Sequence, residues 1–340
     1  MLPYTDTAST SDIKDRKQTV CYCLVLIASL RIGVIAYSAV NKIVVISFCS
    51  FMVTALIATL ALGNSYVVVD VTVPTPDGAL LQGKIYAPEP LPKSRVPVIG
   101  VLPGGGAGLS SVEWGCIGLA SAGYIAIAVL PQQAGRVSSY AVAIESGITF
   151  AGTASNPFSN ISDLKKIGGV GWSLGARALT MVQERDSRFG AIVAWDNLAA
   201  VETGDQGSPS AKSNPPTSSY RTPKIPALGM ASDATGFNTD PDIKKTAYSW
   251  WVKGGIPSLE IVFANSNHFW WSARSSSRQQ ALSNHYTKNW FDLWLKKDKL
   301  AGDRLLQKSI NGESLANILS SRYRSAASFD GHQIDDLRNL

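Results

Sequence analysis

The sequence predicts an α/β domain with a mostly parallel, doubly wound sheet flanked by helices. Two observations indicate this class. Short apolar runs without a charge, such as Val96–Leu102 and residues 124–130, are typical of strands covered on both faces. Segments of helical composition follow most of these runs, and strands that alternate with helices indicate parallel βαβ units. We therefore expect one main domain over residues 64–300.

The predicted elements follow one another in a regular order. Strands are expected at residues 66–73, 79–87, 96–102, 124–130, 167–171, 191–195, 224–233 and 258–263. Helices are expected at residues 111–122, 138–147, 176–185, 243–253 and 279–295. The first two strands flank a Pro- and Gly-containing turn and are expected to pair antiparallel. Residues 201–225 predict a long loop or lid, and residues 301–340 form an extension whose structure the pattern leaves open.

The first 63 residues form a separate apolar region. Residues 43–62 contain no charge and are long enough to span a bilayer, and Lys42 precedes them. This arrangement predicts a signal or anchor that leaves the domain outside the cytoplasm, either secreted or attached to the membrane. An alternative has two spans, at 19–40 and 43–62, with Arg31 unfavourably near the middle of the bilayer. A misplaced start of the chain is a further alternative.

The charge and cysteine content narrow the classes of partner. The net charge is +6 without a basic run or a basic and aromatic stripe, so nucleic acid is not an expected partner. Three of the four cysteines precede residue 63, and Cys116 stands alone in the domain. A disulfide within the domain is therefore not expected. The membrane is an expected partner only through the N-terminal region, if that region is not cleaved.

The most informative segment is Gly171-Trp-Ser-Leu-Gly175, which matches the pattern G-x-S-x-G. A glycine-rich apolar strand precedes it and a helical segment follows it. This is the strand–turn–helix context in which a serine on a sharp turn projects its hydroxyl above a sheet. Ser173 is therefore the candidate nucleophile, placed where the helix N-terminus favours negative charge.

A glycine loop follows an earlier buried strand. Pro103 is followed by three consecutive glycines, and such a loop lets backbone N–H groups point into a site. Those donors are what an oxyanion hole requires. A phosphate-binding loop is disfavoured, because no Gly-Lys-Ser/Thr follows the glycines.

A serine nucleophile needs a base and an acid that orients the base. The chain has three histidines: His285 lies in a predicted helix and His332 in the C-terminal extension, whereas His268 directly follows the final predicted strand and is the candidate base. Asp233 ends the strand before that one and is the preferred acid. Asp196 ends the preceding strand and is the alternative, since an acid there could reach the same histidine.

These motifs resemble those of the α/β-hydrolase superfamily, and within it the dienelactone hydrolase and cutinase-like polyester hydrolase group. The resembling segments are LPGGG at 102–106, GWSLG at 171–175, MASD at 230–233 and SNHF at 266–269. The order Ser, Asp, His is that of the superfamily. The resemblance implies the α/β-hydrolase fold.

The resemblance also implies a role for each matching residue. Ser173 is expected to be the nucleophile, His268 the base and Asp233 the orienting acid. The oxyanion hole is expected from the backbone N–H groups of Leu174 and Gly105. The nucleophile is Ser rather than the Cys of dienelactone hydrolases proper, so lactone hydrolysis in the strict sense is not expected.

The expected activity is hydrolysis of small or polymeric carboxylic esters through an acyl-enzyme on Ser173. The aromatic side chains of Trp172, Phe269 and Trp270 flank the catalytic residues in sequence and are expected to bind the substrate, with packing in the core as the alternative for each. We expect no cofactor and no metal, because the histidines are few and scattered. The alternatives are an amidase or peptidase on the same fold, and a non-catalytic, membrane-anchored binding protein.

Overall fold

The structure is a computed structural model, which describes residues 65–196, 198–199, 221–234 and 241–340. The chain divides into two compact units, Met1–Gly63 and Asn64–Leu340, and every described residue belongs to the second. The predicted signal or anchor at 43–62 and most of the predicted loop at 201–225 lie outside the described residues. Among the described helices, none has the length and apolar character needed to cross a membrane.

One sheet organises the described part of the chain. The strands are β1 (Ser65–Pro74), β2 (Leu80–Glu89), β3 (Val96–Leu102), β4 (Ile125–Val129), β5 (Ser162–Trp172), β6 (Phe189–Trp195), β7 (Ala227–Ser232), β8 (Ser258–Phe263), β9 (Ser309–Ile310), β10 (Glu313–Ser314), β11 (Ala326–Phe329) and β12 (His332–Ile334). Their order in the main sheet is β1-β2-β4-β3-β5-β6-β7-β8-β11-β12, and β9 and β10 form a separate pair. The six strands from β4 to β8 in this order run parallel, as the sequence predicts for a doubly wound sheet.

Helices cover both faces of the sheet. They are α1 (Glu113–Ser121), α2 (Val137–Ala151), α3 (Leu174–Arg185), α4 (Pro241–Lys253), α5 (Ser277–Trp294), α6 (Leu300–Leu305) and α7 (Leu315–Ile318). One hydrophobic cluster contains side chains from α1, α5, α6 and α7, and the other contains side chains from α2, α3 and α4. Alternate residues of β3 enter opposite clusters, because successive side chains of a strand point to opposite faces. The α/β class predicted from the sequence is confirmed.

The C-terminal extension continues the sheet. Strand β11 pairs antiparallel with β8, and β12 pairs antiparallel with β11. The end of β8 is held further by the segment that precedes β11: the N–H of Ala264 donates to the carbonyl of Ile318 at 2.9 Å, and the N–H of Ser320 donates to the carbonyl of Val262 at 2.8 Å. These contacts fix the end of the strand from which the His268 loop departs.

Candidate active site

Ser173 lies on the sharp turn between β5 and α3. Its backbone angles are φ 54° and ψ −114°, a conformation that costs a non-glycine residue about 1–3 kcal/mol. The turn is held on both sides, because the N–H of Ser173 donates to the carbonyl of Trp195 at 2.9 Å and the N–H of Arg177 donates to the carbonyl of Ser173 at 3.2 Å. The serine is half-buried at the start of the helix. The structure therefore places Ser173 in the strained position that the G-x-S-x-G pattern predicts.

The two glycines of this pattern allow the chain to pass close to itself. A Cβ atom on Gly171 would lie 2.4 Å from the carbonyl carbon of Gly175. A Cβ atom on Gly175 would lie 2.6 Å from the carbonyl oxygen of Pro103, which begins the glycine loop. Because backbone atoms cannot move aside as a flexible side chain can, the glycines are required for the serine turn to lie against the neighbouring strand and loop.

The glycine loop lies beside the serine turn. A Cβ atom on Gly105 would be 3.6 Å from the Cδ2 atom of Leu174, so these two residues are neighbours. The loop is tied to the helix layer because the hydroxyl of Tyr140 donates to the carbonyl of Gly104 at 2.9 Å. Burial raises the pKa of Tyr140 further above neutral pH. The structure thus brings together the two residues, Gly105 and Leu174, whose N–H groups were expected to form the oxyanion hole.

His268 follows β8 and contacts a buried carboxylate. Its Nδ1 atom lies 2.6 Å from Oδ2 of Asp196, whose side chain is 0% exposed. Oδ1 of Asp196 accepts hydrogen bonds from the N–H and the hydroxyl of Ser232, at 3.0 and 3.1 Å. Because an ionised carboxylate can only accept, this contact puts the imidazole proton on Nδ1 and leaves the lone pair on Nε2. The neutral histidine is then oriented as a base.

The expected pairing of Asp233 with His268 is wrong, and Asp196 takes that place. The carboxylate of Asp233 instead accepts hydrogen bonds from the backbone N–H groups of Asn265 and Ser266, at 3.0 and 2.9 Å. Both acids follow the ends of adjacent parallel strands, so their positions in the sequence do not show which of them contacts His268. Asp196 has a positive φ of 55°, and from this turn its carboxylate reaches His268. The composition of the strands does not reveal the turn, so the sequence could not show which acid contacts the histidine.

The three aromatic residues expected to bind substrate occupy different environments. Phe269 is 45% exposed beside the histidine, with ring centroids 5.7 Å apart. Trp172 is 6% exposed, and its indole N–H donates to the carbonyl of His268 at 3.1 Å. Trp270 is 3% exposed and stacks on Phe263 in the core, with centroids 5.0 Å apart. The expectation that Trp270 faces a substrate is therefore corrected, because its ring is used in core packing.

Two other ionisable side chains, those of Arg177 and Cys116, are buried and have no expected part in the reaction. Arg177 is buried in the helix that follows Ser173, and burial lowers its pKa to about 10, so it remains charged at neutral pH. Burial raises the pKa of the Cys116 thiol, which disfavours a thiolate nucleophile there. Within the described ranges, no group of three or more His, Cys, Asp or Glu side chains could hold a metal ion.

Part of the chain matches a known family model. Residues 56–202 match a family model described as PET hydrolase-like. The matched range contains the glycine loop, the serine turn and Asp196, and it ends before Asp233 and His268. A comparison with curated proteins finds no match to the chain. The family match supports hydrolysis of ester bonds as the general activity. The match and the sheet topology agree with an α/β-hydrolase fold, and over the matched residues the chain is similar to the cutinase-like polyester hydrolases.

Proposed function

We propose that the chain is a serine hydrolase that cleaves carboxylic esters through an acyl-enzyme on Ser173. His268 acts as the base and Asp196 as the acid that orients it. The backbone N–H groups of Leu174 and Gly105 stabilise the oxyanion. The observation that carries the proposal is the 2.6 Å contact between His268 and Asp196, at the sheet edge where Ser173 occupies its strained turn.

The proposed reaction has two half-reactions. Ser173 Oγ attacks the ester carbonyl carbon while Nε2 of His268 removes the hydroxyl proton, and the carbonyl oxygen becomes an oxyanion. When this intermediate collapses, the bond to the alcohol breaks and His268 returns the proton to the leaving oxygen. Water then attacks the acyl-enzyme with His268 again as the base, releasing the acid and free Ser173. The imidazolium formed in each step is stabilised by the carboxylate of Asp196.

Small esters and polyesters are both proposed substrates. The family match favours this range, because the family model is described as PET hydrolase-like. The exposed ring of Phe269 beside His268 offers an apolar surface against which the acyl or aromatic part of an ester can lie. Peptide bonds are chemically accessible to the same residues, so the test includes an amide.

The test compares the full chain with its Ser173→Ala variant in hydrolysis of p-nitrophenyl butyrate and of the matched p-nitroanilide. We expect turnover of the ester to fall by about 10³-fold or more in the variant, as is usual when a catalytic serine is removed. Hydrolysis of the anilide is expected to be much slower than that of the ester in the native chain. Equal ester rates for the two proteins would contradict the proposal, and a preference for the anilide would make the enzyme an amidase.

A further inference from the structure

We propose that Asp233 is a positioning residue, whose carboxylate holds the backbone of the turn that carries His268. This inference rests on the proposed function, in which His268 is the base. It assigns the two acids complementary tasks: Asp196 orients the imidazole side chain of His268, and Asp233 fixes the main chain two and three residues before His268. Asp233 does not touch the reacting atoms in this account, and it acts only through the histidine.

The first support is a reciprocal set of hydrogen bonds between the ends of β7 and β8. The carboxylate of Asp233 accepts from the N–H of Asn265 at 3.0 Å and from the N–H of Ser266 at 2.9 Å. In return, the N–H of Asp233 donates to the hydroxyl oxygen of Ser266 at 3.0 Å. The N–H of Ala234 also donates to the carbonyl of Ser266 at 3.1 Å. Four hydrogen bonds therefore join the two loops at one point.

The second support is the conformation that these bonds hold. Asn265 has φ 53°, in the left-handed region that is costly for residues other than glycine. Ser266 closes the same turn, because its hydroxyl donates to the carbonyl of Phe263 at 2.6 Å. A turn of this kind persists when its surroundings determine it. The two bonds from Asp233 supply such a constraint directly at Asn265 and Ser266.

The third support is the burial of the acid. Asp233 is 6% exposed, so its ionised side chain is withdrawn from water and needs the two N–H donors as replacements for water. An asparagine at this position could offer one acceptor oxygen, and its NH₂ group would face the second N–H donor. A carboxylate is therefore the side chain that suits two adjacent backbone donors, and Asp233→Asn is a sharp test.

The short distance along the chain connects this turn to the imidazole. Asn267 separates Ser266 from His268, and the side chain of Asn267 accepts from the N–H of Phe269 at 2.9 Å, which caps the next turn. A shift of the turn would therefore move His268 directly. A misplacement of about 1 Å in a catalytic group can lower a rate about 100-fold.

The test is a double-mutant cycle on hydrolysis of p-nitrophenyl butyrate by the full chain. The variants are Asp233→Asn, His268→Ala and the combination of both. We expect Asp233→Asn to lower kcat about 10- to 100-fold with KM changed less than about threefold, because the base is displaced while substrate binding is retained. In the His268→Ala background, the same substitution is expected to change the residual rate by less than about twofold.

Either of two results would overturn the inference. One is an unchanged kcat in folded Asp233→Asn, and the other is an equal loss in both backgrounds, which would mean that the effect does not pass through His268. If Asp233→Asn does not fold, Asp233→Ala is used in the same cycle, since it removes both acceptor oxygens without placing an NH₂ group against the N–H donors. The same two results from that variant would overturn the inference.

Two controls accompany the cycle. Asp292→Asn removes another buried carboxylate, which lies on α5 and accepts from Tyr124, and we expect it to lower the unfolding temperature with kcat unchanged. Ser173→Ala, measured in parallel, separates the inference from the proposed function. Equal rates for the native chain and Ser173→Ala contradict the proposed function, whereas an active native chain with an unaffected Asp233→Asn contradicts only the inference about Asp233.

Discussion

Trp172 connects three parts of the site at the scale of a single residue. Its indole N–H donates to the carbonyl of His268, and its ring centroid lies 5.6 Å from that of the imidazole. On the other side, a Cβ atom on Gly104 would lie 2.8 Å from the Trp172 ring, so the ring packs directly against the glycine loop. Trp172 also precedes Ser173 in the chain. Trp172 therefore sets the distance between His268 and the glycine loop.

We predict that Trp172→Phe lowers kcat for ester hydrolysis by about 2- to 10-fold, because the loss of one hydrogen bond corresponds to about 0.5–1.5 kcal/mol. Steady-state kinetics with p-nitrophenyl butyrate measure the effect. The matched control is Trp251→Phe, which removes an indole N–H that donates to the carbonyl of Ile225 at 3.0 Å, just before β7 rather than in the turn of His268. We expect the control to lower stability and keep kcat. Equal kcat values in the two variants would contradict the role assigned to Trp172.

The sequence predicts some of the site residues better than others, for physical reasons. Ser173 and His268 follow buried strands that are readable from their apolar runs, and the tight turn at the serine leaves a glycine signature. The choice between Asp196 and Asp233 depends on the direction in which each side chain leaves its turn. Such directions are set by tertiary contacts, so the sequence leaves both acids possible at the same edge of the sheet.

At the scale of the elements, β8 depends on the C-terminal extension for its outer hydrogen bonds. The N–H of Val262 donates to the hydroxyl oxygen of Ser325 at 2.8 Å, and Ser325 is fully buried. The carbonyl of Ser325 in turn accepts from the N–H of Leu337 at 2.8 Å. Ser325 therefore ties the last parallel strand to the final turn of the chain.

We predict that Ser325→Ala destabilises the fold by about 1–3 kcal/mol, because it leaves the buried N–H of Val262 without its acceptor. Equilibrium unfolding in urea measures this change. Ser328→Ala serves as the control, since the hydroxyl of Ser328 donates to the side chain of Gln333 at an exposed site and its loss is expected to cost less than about 0.5 kcal/mol. A loss below 0.5 kcal/mol for Ser325→Ala as well would show that the extension does not support β8 in this way.

The extension is also the part of the fold that sequence patterns leave open. Strands β9 and β10 have two residues each, and α7 has four, so none of them is long enough to display a period of hydrophobic residues. By contrast, β3 and β8 have the predicted bounds, because a strand buried on both faces is a continuous apolar run. Sequence patterns predict an element that is long enough to show its own run or period of buried residues. Strand β11 is too short for this, and it forms because it pairs with β8.

At the scale of the whole molecule, the buried carboxylate of Asp292 joins α5 to Tyr124, the residue just before β4. Asp292 accepts from the hydroxyl of Tyr124 at 2.6 Å and from the ammonium groups of Lys288 and Lys296, at 2.5 and 2.9 Å. Burial alone would raise the pKa of Asp292, but the hydrogen bonds from Lys288, Tyr124 and Lys296 together hold it below its ordinary value of 3.8. The ionised form is therefore favoured in the folded chain.

We predict that Asp292 contributes to stability in a pH-dependent way. Because the folded pKa lies below the unfolded value of 3.8, the contribution is complete at pH values well above 3.8 and is lost as pH falls through the folded pKa. At pH 7, Asp292→Asn is expected to lower the free energy of unfolding by about 1.5–3 kcal/mol. Urea unfolding of both proteins at a series of pH values from 7 down to about 3 should find the difference shrinking at the acidic end.

The control for this series is Asp70→Asn, which removes a carboxylate that is 81% exposed. Its effect at pH 7 is expected to be less than about 0.5 kcal/mol. If the difference between the native chain and Asp292→Asn were the same at every pH, the stabilisation would come from packing rather than from the ionised carboxylate.

The central claim is that Ser173 is the nucleophile, and covalent labelling tests it most directly. The full chain is treated with a fluorophosphonate, and the modified peptide is identified by mass spectrometry. We expect one label, on the Ser173 of the segment Gly171–Gly175, and much slower labelling in Asp196→Asn and His268→Ala. A folded native chain that takes no label, or that is labelled at another serine, would contradict the account.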